Sequence, residues 1–170
     1  MKYFAILLFL LEAVKINAQS PEEKLEKNGI TLPEINSPVA NFVHCVRIGN
    51  LLFLAGKGPQ NDGEYVKGKL GQELSVQEGY DAARLTGIIQ LAVLKNEIGD
   101  LSKIKRIVKV NGYVNSSAEF SDHPKVINGF SDLMVAVFGE KGKHARTSVG
   151  VNSLPFNMAV EIELIVEVEE

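Results

Sequence analysis

The sequence predicts an α+β sandwich: one mixed β-sheet with two helices packed on one of its faces. Three observations carry this. Runs of period-two alternation at 42–48, 51–55, 104–115, 146–151 and 159–168 read as strands. Two stretches with apolar residues three and four apart, opening near Ser75 and Asp122, read as amphipathic helices. Their order places strand–helix–strand units between hairpins at both ends, which segregates the helices to one side.

Each element has a local cause. Ser20-Pro21-Glu22-Glu23 is a helix start, with an N-cap, a proline at the first position and acids in the first turn; Gly29 stops that short helix. Gly49-Asn50 joins the first two strands as a two-residue turn. Asp62-Gly63 is a second turn, followed by a short strand at 64–67. Ser75 and Glu78 form a capping box for a helix that runs to Ile98 and ends at Gly99. Its stripe of Val76, Tyr80, Ala83, Gly87, Leu91, Leu94 and Ile98 is a core stripe, and close packing explains Gly79 and Gly87. Pro124 sits in the first turn of the other long helix, whose stripe is Val126, Phe130, Leu133 and Val137, and Gly139 closes it.

Two helices cover one face of such a sheet. The other face, expected to carry Ala55, Val149, Val151 and the apolar row of the last strand, must meet something else, which favours a closed homo-oligomer.

Length and composition narrow the function. The chain has 170 residues, enough for one domain with a proper core. A net charge of -3 gives no electrostatic footprint for nucleic acid or acidic membranes. The single Cys45 excludes an internal disulfide and a cysteine-based zinc site, and reads as a small packed residue. His44, His123 and His144 lack metal-ligand spacing, and no phosphate-loop fingerprint is present, so neither metal nor cofactor is expected. Lys2, the apolar run from Tyr3 to Leu11 and Ile16-Asn17-Ala18 read as a cleaved secretory signal over 1–18, leaving a single domain at 19–170, a secreted or periplasmic location and no membrane span in the mature form.

The stretch from His144 to Glu161 holds the candidate chemistry. Arg146, Ser148 and Gly150 share one face of a strand. An arginine there can fork onto a ligand carboxylate, or form a surface ion pair with a glutamate. If the last two strands made a simple hairpin about Pro155, Arg146 would face Ile165 and Glu161 would lie about 13 Å along the strand. They would then meet only through a ligand, a bulge or a subunit interface. Gly56-Lys57-Gly58-Pro59 either lets another group approach the backbone or is a plain loop.

Several segments, in order, resemble the RidA/YjgF family, also called the endoribonuclease L-PSP or reactive-intermediate deaminase family, and within it the chorismate-mutase-like branch. They are 49–59, Gly68-Lys-Leu-Gly71, 108–115, 125–132, Phe138-Gly139, His144-Ala-Arg-Thr-Ser-Val-Gly150, Leu154-Pro155 and Val160-Glu-Ile-Glu163, and the resemblance spans about 20–170. It implies a chorismate-mutase-like fold and a homotrimer with clefts between subunits. It also implies hydrolysis of small 2-imino acids to 2-oxo acids and ammonia, with Arg146 holding the carboxylate and Glu161 positioning the attacking water. Phe42, Gly56, Lys57, Asn115 and Ser148 fall at or beside the positions expected to contact substrate. The chain departs from the deaminase pattern in having Phe42 for a tyrosine, Ala55-Gly56-Lys57 for Ser-Gly-Gln, His144 for a proline and Ser148 for a cysteine. Those departures keep a second expectation open: a non-catalytic protein that binds small carboxylates on the same scaffold. The family's ribonuclease label fits poorly with an acidic chain lacking a basic groove, and the mutase label reflects fold similarity.

Overall fold

The computed structural model describes residues 19–38 and 40–169; the leader expected at 1–18 lies outside the described residues. The elements, in chain order, are α1 (Pro21–Lys27), β1 (Cys45–Ile48), β2 (Leu51–Lys57), β3 (Gln60–Asn61), β4 (Glu64–Tyr65), α2 (Val76–Ile98), β5 (Ile104–Asn115), α3 (His123–Phe138), β6 (Ala145–Val151) and β7 (Val160–Val168). Short 3-10 turns at Leu101–Lys103, Gly139–Gly142 and Pro155–Asn157 join them. The capping boxes at Ser20 and Ser75 both form, and Gly99 ends α2 in the left-handed conformation.

Five strands make one mixed sheet in the order β1-β2-β7-β5-β6, and β3 with β4 forms a separate small hairpin. β5 and β6 are parallel, joined by α3; every other pair in the large sheet is antiparallel. Since β2 and β5 both run antiparallel to β7, they are parallel to each other, with α2 as their crossover and β7 inserted between them.

This placement corrects two expectations. β6 and β7 do not form a hairpin: β5 lies between them, pairing with both. The connection from Val151 to Val160 exceeds the roughly 2–5 residues of common hairpin loops, and it carries the chain past β5 to a central slot. The apolar row of β7 also does not face outward. Val160, Ile162, Leu164, Val166 and Val168 are all buried beneath the helices, as a central strand under a helical layer requires. The outward row is Glu161, Glu163, Ile165 and Glu167.

The core lies between the sheet and the α2–α3 layer. Leu52, Leu54, Val110, Val114 and the buried row of β7 meet Leu91, Leu94, Ile127, Phe130 and Met134. A bulge between Ile107 and Lys109 shifts the alternation of β5, so Ile107 and Val110 both point inward. The two long helices touch closely: a Cβ at Gly129 of α3 would overlap the Tyr80 carbonyl of α2. Gly79 and Gly87 pack against Leu70 and Leu133 for the same reason, as their place on the stripe suggested. Cys45 is half-buried, and desolvation followed by the field of Glu97 pushes its thiol up to about 11, which keeps it unreactive.

Among the described residues, no helix covers the other face of the sheet. Val46, Phe53 and Ile165 lie in register across β1, β2 and β7 on this face, with Tyr113 and Val149 further along. Val46 is 48% exposed, Phe53 38% and Val149 41%, so apolar side chains lie open toward both edges of this face. A groove of about 300 Å³ runs over it, lined by Val43, Val46, Phe53, Asn111, Glu163 and Ile165 among others. Among the described residues no helix is long and apolar enough to cross a membrane, and no cluster of three or more His, Cys, Asp or Glu could hold a metal.

Candidate functional site

Arg146 is fixed by the helix above it. β6 is an edge strand, and Arg146 shares the face of its register partner Val110, toward α3. Its Nη1 donates to Asn128 Oδ1 at 2.9 Å and to Ser131 Oγ at 3.0 Å, and its Nη2 reaches the Pro124 carbonyl at 3.5 Å. Pro124, Asn128 and Ser131 fall four and three residues apart, on one face of α3. Ser131 also binds His144, with Oγ 3.0 Å from Nε2, while His144 Nδ1 lies 2.7 Å from the Gly142 carbonyl. The carbonyl can only accept, so Nδ1 carries the proton, Nε2 accepts from Ser131, and the Ser131 oxygen is free to accept from Arg146. Burial lowers the proton affinity of His144; the Gly142 carbonyl works against this and the nearby guanidinium adds to it. Among the described residues no carboxylate pairs with Arg146. A guanidinium carries more N–H donors than these contacts use, so an edge is left to fork onto a ligand carboxylate.

Ser148 follows on the same face of β6, opposite Gly112. Its Oγ is buried and has no hydrogen-bond partner among the described residues. A buried hydroxyl without a partner is costly, and it lies one step along the strand from the arginine.

Glu161 belongs to the other face. It pairs with Tyr113 of β5, and its carboxylate lies directly over Gly56 of β2, where a Cβ would overlap Oε1. It is half-buried, with no ion pair among the described residues. Burial first, and then the charge of Glu163, raise its proton affinity above that of an ordinary glutamate. Glu163 is held in turn, accepting from Asn111 Nδ2 at 3.0 Å and from the Tyr113 hydroxyl at 3.2 Å. A β-bulge between Leu54 and Lys57 brings Gly56 under the carboxylate. The fully buried Gln90 of α2 secures that bulge, its Nε2 donating to the Ala55 carbonyl at 3.0 Å and the Ile162 carbonyl at 2.7 Å.

Lys57 and Phe42 form a third group. Lys57 Nζ lies 2.6 Å from His44 Nδ1 and 6.0 Å from the centre of the Phe42 ring. Asn115 stands apart: it is fully buried, accepting from Lys69 Nζ at 2.9 Å and donating to Asn157 Oδ1 at 2.9 Å. Through these contacts it braces the loops at the end of β5.

Within one protomer, then, the residues singled out by sequence do not converge. Gly56 and Glu161 come together, as do Phe42 and Lys57, and Arg146 and Ser148 share a strand face. Sequence reading missed Asn128, Ser131, Gln90, Tyr113 and Glu163. Asn128 and Ser131, polar and three residues apart between the apolar positions of α3, were a readable signal for the first two; Gln90 lay hidden among apolar neighbours with nothing to mark it.

Comparison with known proteins accords with this architecture. The family model described as "YjgF/chorismate mutase-like, putative endoribonuclease" matches residues 22–168. Protein TCP17 of Trypanosoma cruzi is 44% identical over 145 residues, covering 84% of this chain and 91% of that protein. A 2-iminobutanoate/2-iminopropanoate deaminase of Dermatophagoides farinae is 28% identical over 145 residues, covering 84% of this chain and 98% of its own. The crystal structure of Atu1372 from Agrobacterium tumefaciens, a protein of unknown function, superposes with a TM-score of 0.82 at 43% identity, covering 88% of this chain and 92% of that one. The mixed sheet under its helical layer, the order of the motifs and the near full-length match agree: the chain belongs to the YjgF/RidA family.

Proposed function

We propose that the protein hydrolyses small 2-imino acids, or their enamine tautomers, to 2-oxo acids and ammonia, in clefts between the subunits of a homotrimer. The observation that carries the reading is the pair of prepared groups. One is an arginine held by α3 with donors to spare, and the other a half-buried glutamate that no cation pairs with among the described residues. The guanidinium takes the substrate carboxylate in a fork. Glu161, once ionised, accepts a proton from a water that attacks the imine carbon; it returns that proton to the nitrogen of the resulting hemiaminal, whose C–N bond breaks as the carbonyl forms and ammonia leaves. The bare apolar face of the sheet supports assembly with other copies, which can bring Arg146 of one subunit toward Glu161 of another. Lys57 supplies a second cation for an acidic substrate.

A second reading, binding of small carboxylates without turnover, is favoured by one specific feature. Phe42 offers no hydroxyl where the deaminase pattern has a tyrosine.

The test is a coupled assay in which an amino-acid oxidase or dehydratase generates 2-iminopropanoate and release of pyruvate is followed. The wild-type protein should accelerate release, and Arg146→Ala should lower kcat/KM about 30-fold, the equivalent of ~2 kcal/mol for a charge-assisted contact. Wild type no faster than buffer, with a 2-oxo acid still raising its Tm, would leave the binding reading in place.

A further inference from the structure

We propose that Lys57 is a Schiff-base lysine, whose amine condenses with the carbonyl carbon of a small 2-oxo acid while His44 takes up the amine's proton. The ligand class rests on the small-carboxylate reading above, but the inference does not require turnover at Glu161.

The geometry is unusual for a lysine. Half-buried lysines commonly find a carboxylate, yet among the described residues none pairs with Lys57. Its polar contact is an imidazole, at 2.6 Å. The tautomer of that imidazole follows from its other bond. His44 Nε2 lies 2.7 Å from the Asn36 carbonyl, which can only accept, so Nε2 carries the proton and Nδ1 presents its lone pair to the lysine. The ammonium therefore points a proton at a base. The Phe42 ring, 51% exposed, lies over the amine and shields it without neutralising it. Desolvation lowers the proton affinity of Lys57, as expected for a cation with no anionic partner.

The backbone holds the lysine still. Gly56 packs beneath the Glu161 carboxylate and Gly58 against the Met158 sulfur, so the segment is pinned on both sides of residue 57. The bulge in β2 sits at this point, and bulges commonly re-aim a side chain beside a functional site. A lysine kept near a base, partly desolvated and fixed in position has the attributes of a nucleophilic amine.

The reaction balances without a further reactant. Lys57 ammonium passes one proton to His44 Nδ1. The amine lone pair then forms the C–N bond to the carbonyl carbon of the 2-oxo acid. Proton transfers through His44 convert the carbonyl oxygen into a leaving water, the C–O bond breaks, and a protonated ketimine remains on Nζ with its single positive charge. A 2-imino acid reaches the same adduct by expelling ammonia in place of water.

Reductive trapping tests the proposal on the full chain. Pyruvate and sodium cyanoborohydride are added at neutral pH, and each lysine-bearing peptide is followed by mass spectrometry over time. Lys57 should be labelled severalfold faster than exposed lysines such as Lys143, because its amine is held in position beside a base. The label should vanish in Lys57→Arg, whose unchanged Tm would report an intact fold, and should slow toward the surface rate in His44→Gln. Labelling of Lys57 no faster than of Lys143 overturns the proposal, and wild-type labelling in His44→Gln overturns the role given to the histidine. Selective labelling in a protein that fails the 2-iminopropanoate assay would leave the lysine assignment standing and remove only the deaminase reading.

Discussion

Arg146 and Glu161 lie on opposite faces of one sheet, with β5 between their strands. Arg146 shares the helix-facing side with Val110, and Glu161 shares the bare side with Tyr113. Three residues along the strand and two strand spacings separate their backbones by about 14 Å. One protomer therefore cannot direct both at a small substrate in the manner proposed. Mixed oligomers are the direct check. Arg146→Ala and Glu161→Gln should each be inactive alone, while an equal mixture, unfolded and refolded together, should recover on the order of a quarter of wild-type activity, because some interfaces then pair an intact arginine with an intact glutamate. Activity that stays absent in a mixture shown by native mass spectrometry to contain both chains would exclude a shared cleft.

Glu161 links activity to stability in opposite senses. Burial and Glu163 make the folded chain hold this proton more tightly than the unfolded chain does. A raised carboxyl opposes folding as the pH climbs from the ordinary value of 4.5 through the raised one, and the penalty is complete above it. Glu161→Gln should accordingly have a higher Tm than wild type at pH 7, with the difference fading below 4.5, and its hydrolysis should fall about 100-fold or more with loss of the base. Glu163→Gln should move the acid limb of the wild-type rate profile to lower pH, since one of the two causes of the shift is gone.

Gly56 is a contact for the carboxylate more than a hinge. A methyl group there collides with the end of the Glu161 side chain, which can swing aside. Gly56→Ala should thus change Tm little while lowering kcat, and a crystal structure should show Glu161 displaced from its place over residue 56. An unchanged kcat with a displaced carboxylate would remove Glu161 from the reaction.

Gln90 should act through stability. Its amide satisfies two buried carbonyls at the bulge, and Gln90→Leu strands both. A loss of about 2 kcal/mol or more is expected in urea unfolding. Because the bulge sets Gly56 under Glu161, kcat should fall as well.

Much of the fold was legible in the chain because its causes are local. Ser75 and Glu78 specify a helix start through contacts three residues apart, Gly49-Asn50 specifies a turn, and the two long apolar stripes specify buried helix faces. The motif around Arg146 was legible for the same reason, being one contiguous stretch. Strand order was not. The alternation in 159–168 is the same whether that strand ends a hairpin or fills the middle of a sheet, and the choice is made by burial summed over the sheet. The inward turn of Val160 to Val168 follows from that choice, and so does the outward turn of Glu161.

The sequence by itself determined the element types, the helix caps, the family and the residues worth watching, all of which rest on short-range geometry and motif order. Only the tertiary structure decided that Asn128 and Ser131 hold Arg146, that Gln90 secures the bulge beneath Glu161, and that Lys57 meets His44. Those contacts join residues from different elements, and whether they meet depends on strand register and helix packing, which no local pattern encodes.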